Sequence, residues 1–181
     1  MLFLHQIMGL KSRIANRILS SKLSLVFREK RVSNLDSAQT SGILWEIDQK
    51  ESFDRVKEEL RKSGVKAAGL CYFPHRNAMI PEEITGFSRK QTNYWLEIPK
   101  SDQVDHFIHQ KFDLLIDLTG QKYFPIAYIT ALSEATFKIG YASNSQNYFD
   151  LNIDFQATPE TGQLADQILY YLKRINKSTI E

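Results

Sequence analysis

Phe112-Asp113-Leu114-Leu115-Ile116-Asp117-Leu118-Thr119-Gly120 is the stretch that decides the fold: an apolar run closed by a polar turn. Pro125 follows, at a favoured early helix position, and an apolar helix is predicted to about Leu132. A second apolar run, Phe137-Lys138-Ile139-Gly140-Tyr141, comes next. Strand, helix and strand in that order, with short joints, is a βαβ unit, and its strands lie parallel.

The same alternation extends in both directions. Residues 42–48 read as a strand, and Ser52 as the cap of a helix that puts Phe53, Val56 and Leu60 on one face and ends at Gly64. Residues 65–73 are nearly all apolar, as in a central strand. Residues 77–92 carry no clean period and read as an irregular connection with one short helix at 81–84, and 94–98 has the composition of a short strand. Ser101 caps a helix over 102–110, residues 148–155 form a last strand, and Thr158 and Glu160 open a helix with Leu164, Ile168, Leu169 and Leu172 on one face. The expected class is α/β: one open, mostly parallel, Rossmann-like sheet of five strands and four helices, with helices on both faces and a basic amphipathic helix in front.

Length and composition agree with one domain. The chain has 181 residues, 43% hydrophobic and 24% charged, which is enough to bury a single core. One cysteine, Cys71, excludes an internal disulfide and a multi-cysteine zinc site, and its apolar neighbours make it a buried structural thiol.

Charge divides the chain in two. Residues 1–32 hold Lys11, Arg13, Arg17, Lys22, Arg28, Lys30 and Arg31 against Glu29, a net +6 that leaves −4 for the rest of a +2 chain. Ile7, Leu10, Ile14 and Ile18 fall on one helical face of this arm. The polar stretch 33–41 reads as a linker, 42–176 as the Rossmann-like domain and 177–181 as a tail. Three readings of the arm stand: a helix packed on the body, a surface for an anionic partner, or an Arg- and Ser-rich transit peptide. Met8 is an alternative start. No stretch is long and apolar enough to span a bilayer, there is no secretory h-region with a cleavage site, and Arg13 breaks the acyl-glycine pattern after Met8-Gly9.

Ligands of open parallel sheets sit beyond the carboxyl ends of the strands. The residues expected there are Asp48, Gln49, Pro74, His75, Arg76, Asp117, Thr119, Gly120, Tyr141, Ser143 and Asn144. Of these, Asp48, His75, Arg76, Asp117, Thr119 and Gly120 are the candidate ligand-binding set. The chain lacks GxGxxG and GxxxxGK[ST], and its first strand is followed by a turn without glycine, which argues against NAD binding and nucleotide hydrolysis. No catalytic residue, metal site or cofactor is assigned: His106 and His109 read as a polar helix face, there is no G-x-S-x-G elbow, and Cys71 has no evident base.

Two resemblances accompany these residues. The stretches 112–118 and 131–141, with Asn147-Tyr148-Phe149-Asp150-Leu151-Asn152-Ile153-Asp154, resemble a small uncharacterised family of Bacteroidetes α/β proteins over nearly the whole chain from Met8. That implies a cytoplasmic bacterial protein with no assigned activity. About 30 residues of the same region are similar to the first domain of heptosyltransferase-type glycosyltransferases. Those enzymes need a second nucleotide-sugar domain and an acidic residue in a glycine-containing first turn, where this chain has Asp48-Gln49-Lys50; the likeness implies shared architecture without shared activity.

The leading expectation is a non-catalytic adaptor. Its arm, through Lys11, Arg13, Arg17, Lys22 and Arg28, engages an RNA–protein assembly or protein complex, with peripheral membrane contact as a further option. The alternative is a small enzyme or a sugar-phosphate- or nucleotide-binding domain acting at the strand ends.

Overall fold

The computed structural model describes residues 2–142 and 146–175, with side chains from residue 9 onward. Its strands are β1 (Thr40–Glu46), β2 (Lys66–Phe73), β3 (Gly86–Ser88), β4 (Leu114–Asp117), β5 (Phe137–Gly140) and β6 (Leu151–Asn152). Its helices are α1 (Leu2–Leu23), α2 (Lys50–Lys62), α3 (Asp102–His109), α4 (Phe124–Leu132) and α5 (Thr161–Leu172). The strands form one six-stranded sheet in the order β3-β2-β1-β4-β5-β6, and every pairing is parallel.

This order follows from the handedness of crossovers. The chain leaves β1 in one direction through α2 and leaves β4 in the other through α4. Right-handed connections then place the two helices on opposite faces. Accordingly Ile43, Trp45, Leu114 and Ile116 pack with α2 and α5 on one side. Leu44, Leu70 and Leu115 pack with α3 and α4 on the other. Strand order reverses between β1 and β4, so a crevice opens there at the carboxyl edge.

Several local expectations change. The sixth strand, β3, lies within the stretch read as irregular; its three residues are too few to show a period, and it is held by pairing Cys71 to Gly86 and Phe73 to Ser88. Residues 94–98 form a turn, because the Asn93 side-chain oxygen accepts from the amides of Trp95 (2.9 Å) and Leu96 (3.0 Å). The expected helix at 81–84 is one turn, closed by Ile84 N–H donating to Pro81 O. Helix α2 begins at Lys50, so Ser52 lies inside it and is not its cap. The helix still ends at Gly64, whose φ of +79° suits glycine after a helix.

The arm is part of the body from about Ala15. Helix α4 is buried along Pro125–Leu132 and needs cover on its outer side; α1 supplies it through Ala15 and Leu19. The buried stripe is therefore turned from the expected one. Leu10 is exposed, Ile14 and Ile18 only flank the contact, and the side chain of Ile7 lies outside the described set.

Beyond α1 the chain runs under the amino edge of the sheet. Arg28 grips Asp150 with both guanidinium nitrogens (2.8 and 2.6 Å) and also donates to the carbonyls of Ala135 and Thr136. Arg31 lies 3.5 Å from Asp113, and Asp113 accepts from the amides of Gln39 and Thr40 at the start of β1. Asn34 donates to Ile175 O at 2.7 Å. No helix among the described residues is long and apolar enough to cross a membrane.

Candidate functional site

The carboxyl ends of β1 and β4 bring charged and polar side chains to the point where strand order reverses. Leu44 pairs with Asp117, and Leu118 N–H donates to Leu44 O at 2.9 Å, so Glu46 at the end of β1 stands beside the loop that leaves β4. Leu44 and Glu46 point to the same face, since side chains alternate along a strand. Glu46 is 3% exposed, and its Oε1 makes no hydrogen bond.

Burial pushes the Glu46 carboxyl up to about 7; the Lys122 ammonium opposes the rise, while the charges of Asp48 and Asp117 add to it. Glu46 in turn raises its neighbours. The Cys71 thiol, driven first by burial and then by Glu46 and Asp48, is pushed up to about 12. The Tyr123 phenol is raised by burial and the same two carboxylates.

The loop after β4 has two successive residues in the left-handed region, Gly120 (φ +66°) and Gln121 (φ +52°). Glycine adopts this freely; glutamine does so at a cost on the order of 1 kcal/mol. Gln121 is 3% exposed, and neither its Oε1 nor its Nε2 has a hydrogen-bond partner. A backbone held against its preference, carrying a buried carboxamide with both ends unpaired, is a pattern concentrated at binding sites.

The strand-end side of the loop is well bonded. Asp117 Oδ1 accepts from the Thr119 amide (2.8 Å) and hydroxyl (2.7 Å), and Oδ2 from the Thr130 hydroxyl (3.0 Å). Burial raises Asp117 to about 6, and these three donors hold it from going higher. The Thr119 hydroxyl also accepts from Gln121 N–H at 3.2 Å. Asp117 and Thr119 thus fix the loop's shape and present Gln121.

On the α5 side of this loop is a cavity of about 150 Å³, walled by Gln49, Thr119, Gly120, Lys122, Tyr141 and Thr161 among others. A volume near 150 Å³ holds one small ring or a few waters. Gln49 ties this wall to Glu46: its Oε1 accepts from Glu46 N–H, and its Nε2 donates to Leu118 O and Thr161 Oγ1.

Residues 11–175 match a family of unknown function, DUF6913. The chain belongs to that family. Among curated proteins nothing matches.

Of the sequence candidates in this DUF6913 chain, Asp117, Thr119 and Gly120 come together at the β4 end. Asp48 is exposed in the turn after β1, near enough to bear on Glu46. His75 and Arg76 are exposed after β2, and Arg76 stacks over the Tyr94 ring at 5.0 Å. No ion pair joins them to Asp48 or Asp117 among the described residues. Ser143 and Asn144 lie outside those residues. His109 bonds Glu134 at 2.8 Å on the helix surface.

Glu46, Gln121 and Lys122 are candidate site residues that the sequence alone does not single out. The signal for Glu46 was there: an acid two residues after Leu44 in an apolar strand must face the same core. Gln121 gave none, because its burial depends on the turn at Gly120.

Of the arm's five candidate cations, three contact the body. Lys11 pairs with Glu97 at 3.3 Å, Arg28 with Asp150, and the Lys22 ammonium lies 5.5 Å from the Tyr128 ring centroid. Arg13 and Arg17 are exposed.

Proposed function

We propose that this domain is a small-molecule-binding module whose site is the β1/β4 crevice, with Glu46, Gln121 and Lys122 as contacting side chains and Asp117 and Thr119 as the frame. The observation that carries the reading is two buried, unpaired polar groups on adjoining strand ends, the carboxamide of Gln121 in the loop after β4 and a carboxyl oxygen of Glu46 at the end of β1. Leaving such groups unbonded costs on the order of 1–3 kcal/mol each, which a ligand bearing both donors and acceptors recovers.

The chemistry favours an uncharged polyhydroxyl or amino compound over a nucleotide. Three carboxylates, Glu46, Asp48 and Asp117, act on this strand end against Lys122, and a diphosphate would meet their repulsion. The first turn is a 3₁₀ turn at Ile47–Gln49 running straight into α2, so it offers no glycine cradle. Within the alternative set out above, a sugar ring is supported better than its phosphate. The likeness to heptosyltransferase-type enzymes spans β4, α4 and β5, and we take it as shared architecture. A bacterial, cytoplasmic setting belongs to the same reading.

A thermal-shift series with monosaccharides, amino sugars, sugar phosphates and nucleoside diphosphates tests the proposal. Neutral or amino sugars are expected to raise the melting temperature of the native chain and not that of Gln121→Leu. Stabilisation by diphosphates alone, or silence across the series, contradicts it.

A second reading, the basic arm as a contact surface for an anionic partner such as an RNA–protein assembly or protein complex, is favoured by Arg13 and Arg17, which face solvent while Lys11 and Arg28 are paired. Charge-reduced Arg13→Ser/Arg17→Ser chain should lose salt-sensitive partners while melting as the native chain does.

A further inference from the structure

Where α1 ends, the chain presents apolar side chains to solvent. Leu23 is 36% exposed, Leu25 82% and Phe27 93%. Val26 and Arg28, between and after them, turn inward. Leu25 lies in the turn that closes α1, its N–H donating to Lys22 O, and Phe27 follows two residues on, so two large apolar side chains stand in solvent next to each other in the chain's exit from the helix. Full exposure of two large apolar side chains two residues apart calls for an apolar partner. Lys22 precedes the pair, and Lys30, with 65% of its side chain exposed, follows it.

Beside Phe27 is an open cavity of about 380 Å³. Its wall combines apolar Leu23 and Phe27 with the cations Arg28, Lys30 and Lys138, against the single acid Asp150. Lys138 is buried, and its ammonium donates to the carbonyls of Thr130 (2.7 Å) and Ala131 (3.0 Å) at the end of α4. Arg28 is held by Asp150 and burial lowers the Lys138 ammonium to about 7, so the charge offered to an anion at the mouth of this hollow is chiefly that of the exposed Lys30.

We propose that this corner docks on an anionic phospholipid bilayer, with Leu25 and Phe27 entering the acyl boundary and a lipid phosphate resting at the cavity mouth near Lys30. The proposal rests on the arm as a contact surface and names what it contacts. Apolar tips flanked by Lys and Arg match the two components of interfacial binding, acyl burial and attraction to anionic headgroups. An RNA partner fits less well. Single-stranded RNA is held by aromatic platforms together with cations, and two of the three exposed tips here are leucine. Arg13 and Arg17 add charge along the outer face of α1.

The test uses the full chain and sedimentation with vesicles of phosphatidylcholine, with and without phosphatidylglycerol. Binding is expected only with phosphatidylglycerol, falling as salt rises. Leu25→Ser and Phe27→Ser should each weaken it about tenfold or more, since burying such a side chain is worth at least one decade in affinity. Both positions are exposed, so both variants should melt as the native chain does. Absence of binding to anionic vesicles overturns the proposal, as does binding unchanged in the Leu25→Ser/Phe27→Ser chain. If that double variant binds normally while Arg13→Ser/Arg17→Ser does not, insertion is refuted and the purely electrostatic arm stands. Binding of an RNA oligonucleotide without vesicle binding also refutes the bilayer, and so does a melting shift with inorganic phosphate in a chain that ignores vesicles.

Discussion

Replacing Glu46 with glutamine should stabilise the protein above neutral pH and do little below pH 4.5. The carboxyl ionises near 4.5 when exposed and near 7 in the fold, because burial disfavours its charge. Between those values the folded chain holds a proton that the unfolded chain has released. Stability contributed by this group therefore falls as pH rises, with the penalty absent below 4.5 and complete above 7. The difference from 4.5 to about 7, at about 1.4 kcal/mol per pH unit, comes to about 3 kcal/mol. Glu46→Gln keeps the shape and removes the titration. Urea unfolding followed by tryptophan fluorescence at pH 4 to 8.5 gives the stability of each chain, and Trp45, buried and stacked on Phe53 at 4.3 Å, reports on the core. The stability of the variant minus that of the native chain should grow by about 3 kcal/mol across this range. A difference that stays flat, or that favours native Glu46 at high pH, refutes the picture of an ionised carboxyl held against its desolvation.

Lys122→Met should extend this window upward in pH, since the Lys122 ammonium opposes the rise at Glu46; the same titration of stability shows it. Arg28→Ala should cost about 3 kcal/mol or more in urea unfolding, because it leaves the Asp150 carboxylate, only 6% exposed, without its bidentate partner. The Cys71 thiol, buried and pushed up to about 12, should react with Ellman's reagent no faster than the chain opens, and faster labelling than unfolding would show an accessible thiol. Leu19→Ala should cost about 2–5 kcal/mol, since Leu19 is buried in the core on the α4 side of the sheet.

Periodicity carried most of the fold. The βαβ unit at Phe112–Tyr141 was legible because long apolar runs, a proline at a helix start and Thr119-Gly120 all agree locally. The errors fell where a side chain overrides composition or where an element is too short to have a period. Asn93 turned a strand-like Tyr94-Trp95-Leu96 into a turn, and β3 is visible only through its pairing. The site was half legible, for a related reason. Asp117 and Thr119 follow directly from the end of a strand. Gln121 becomes a candidate because its backbone is left-handed and its carboxamide buried, and neither property is written in a single residue type. The arm's charge was read correctly as a count but not as a distribution, since the acids that pair with Lys11 and Arg28 are Glu97 and Asp150, 86 and 122 residues away.

The crevice and the arm lie at different parts of the molecule and answer to different forces, which makes them separable. Glu46 and Asp117 in the crevice are buried and so little screened by ions, and ligand binding there should depend on pH through Glu46 and little on salt. The corner at Leu25 and Phe27 is exposed and flanked by Lys22 and Lys30, so its binding should fall with salt, and weaken further as pH rises through about 7, where Lys138 in the cavity wall gives up its proton. Between them stands α4, which contributes Thr130 to Asp117 on the crevice side and the carbonyls of Thr130 and Ala131 to Lys138 on the other. Thr130 thus touches both regions from a single turn of helix. Thr130→Val removes the hydroxyl that donates to Asp117 Oδ2 and keeps the carbonyl that accepts from Lys138, so it should destabilise the crevice loop and raise Asp117 further while vesicle binding at the corner stays as in the native chain.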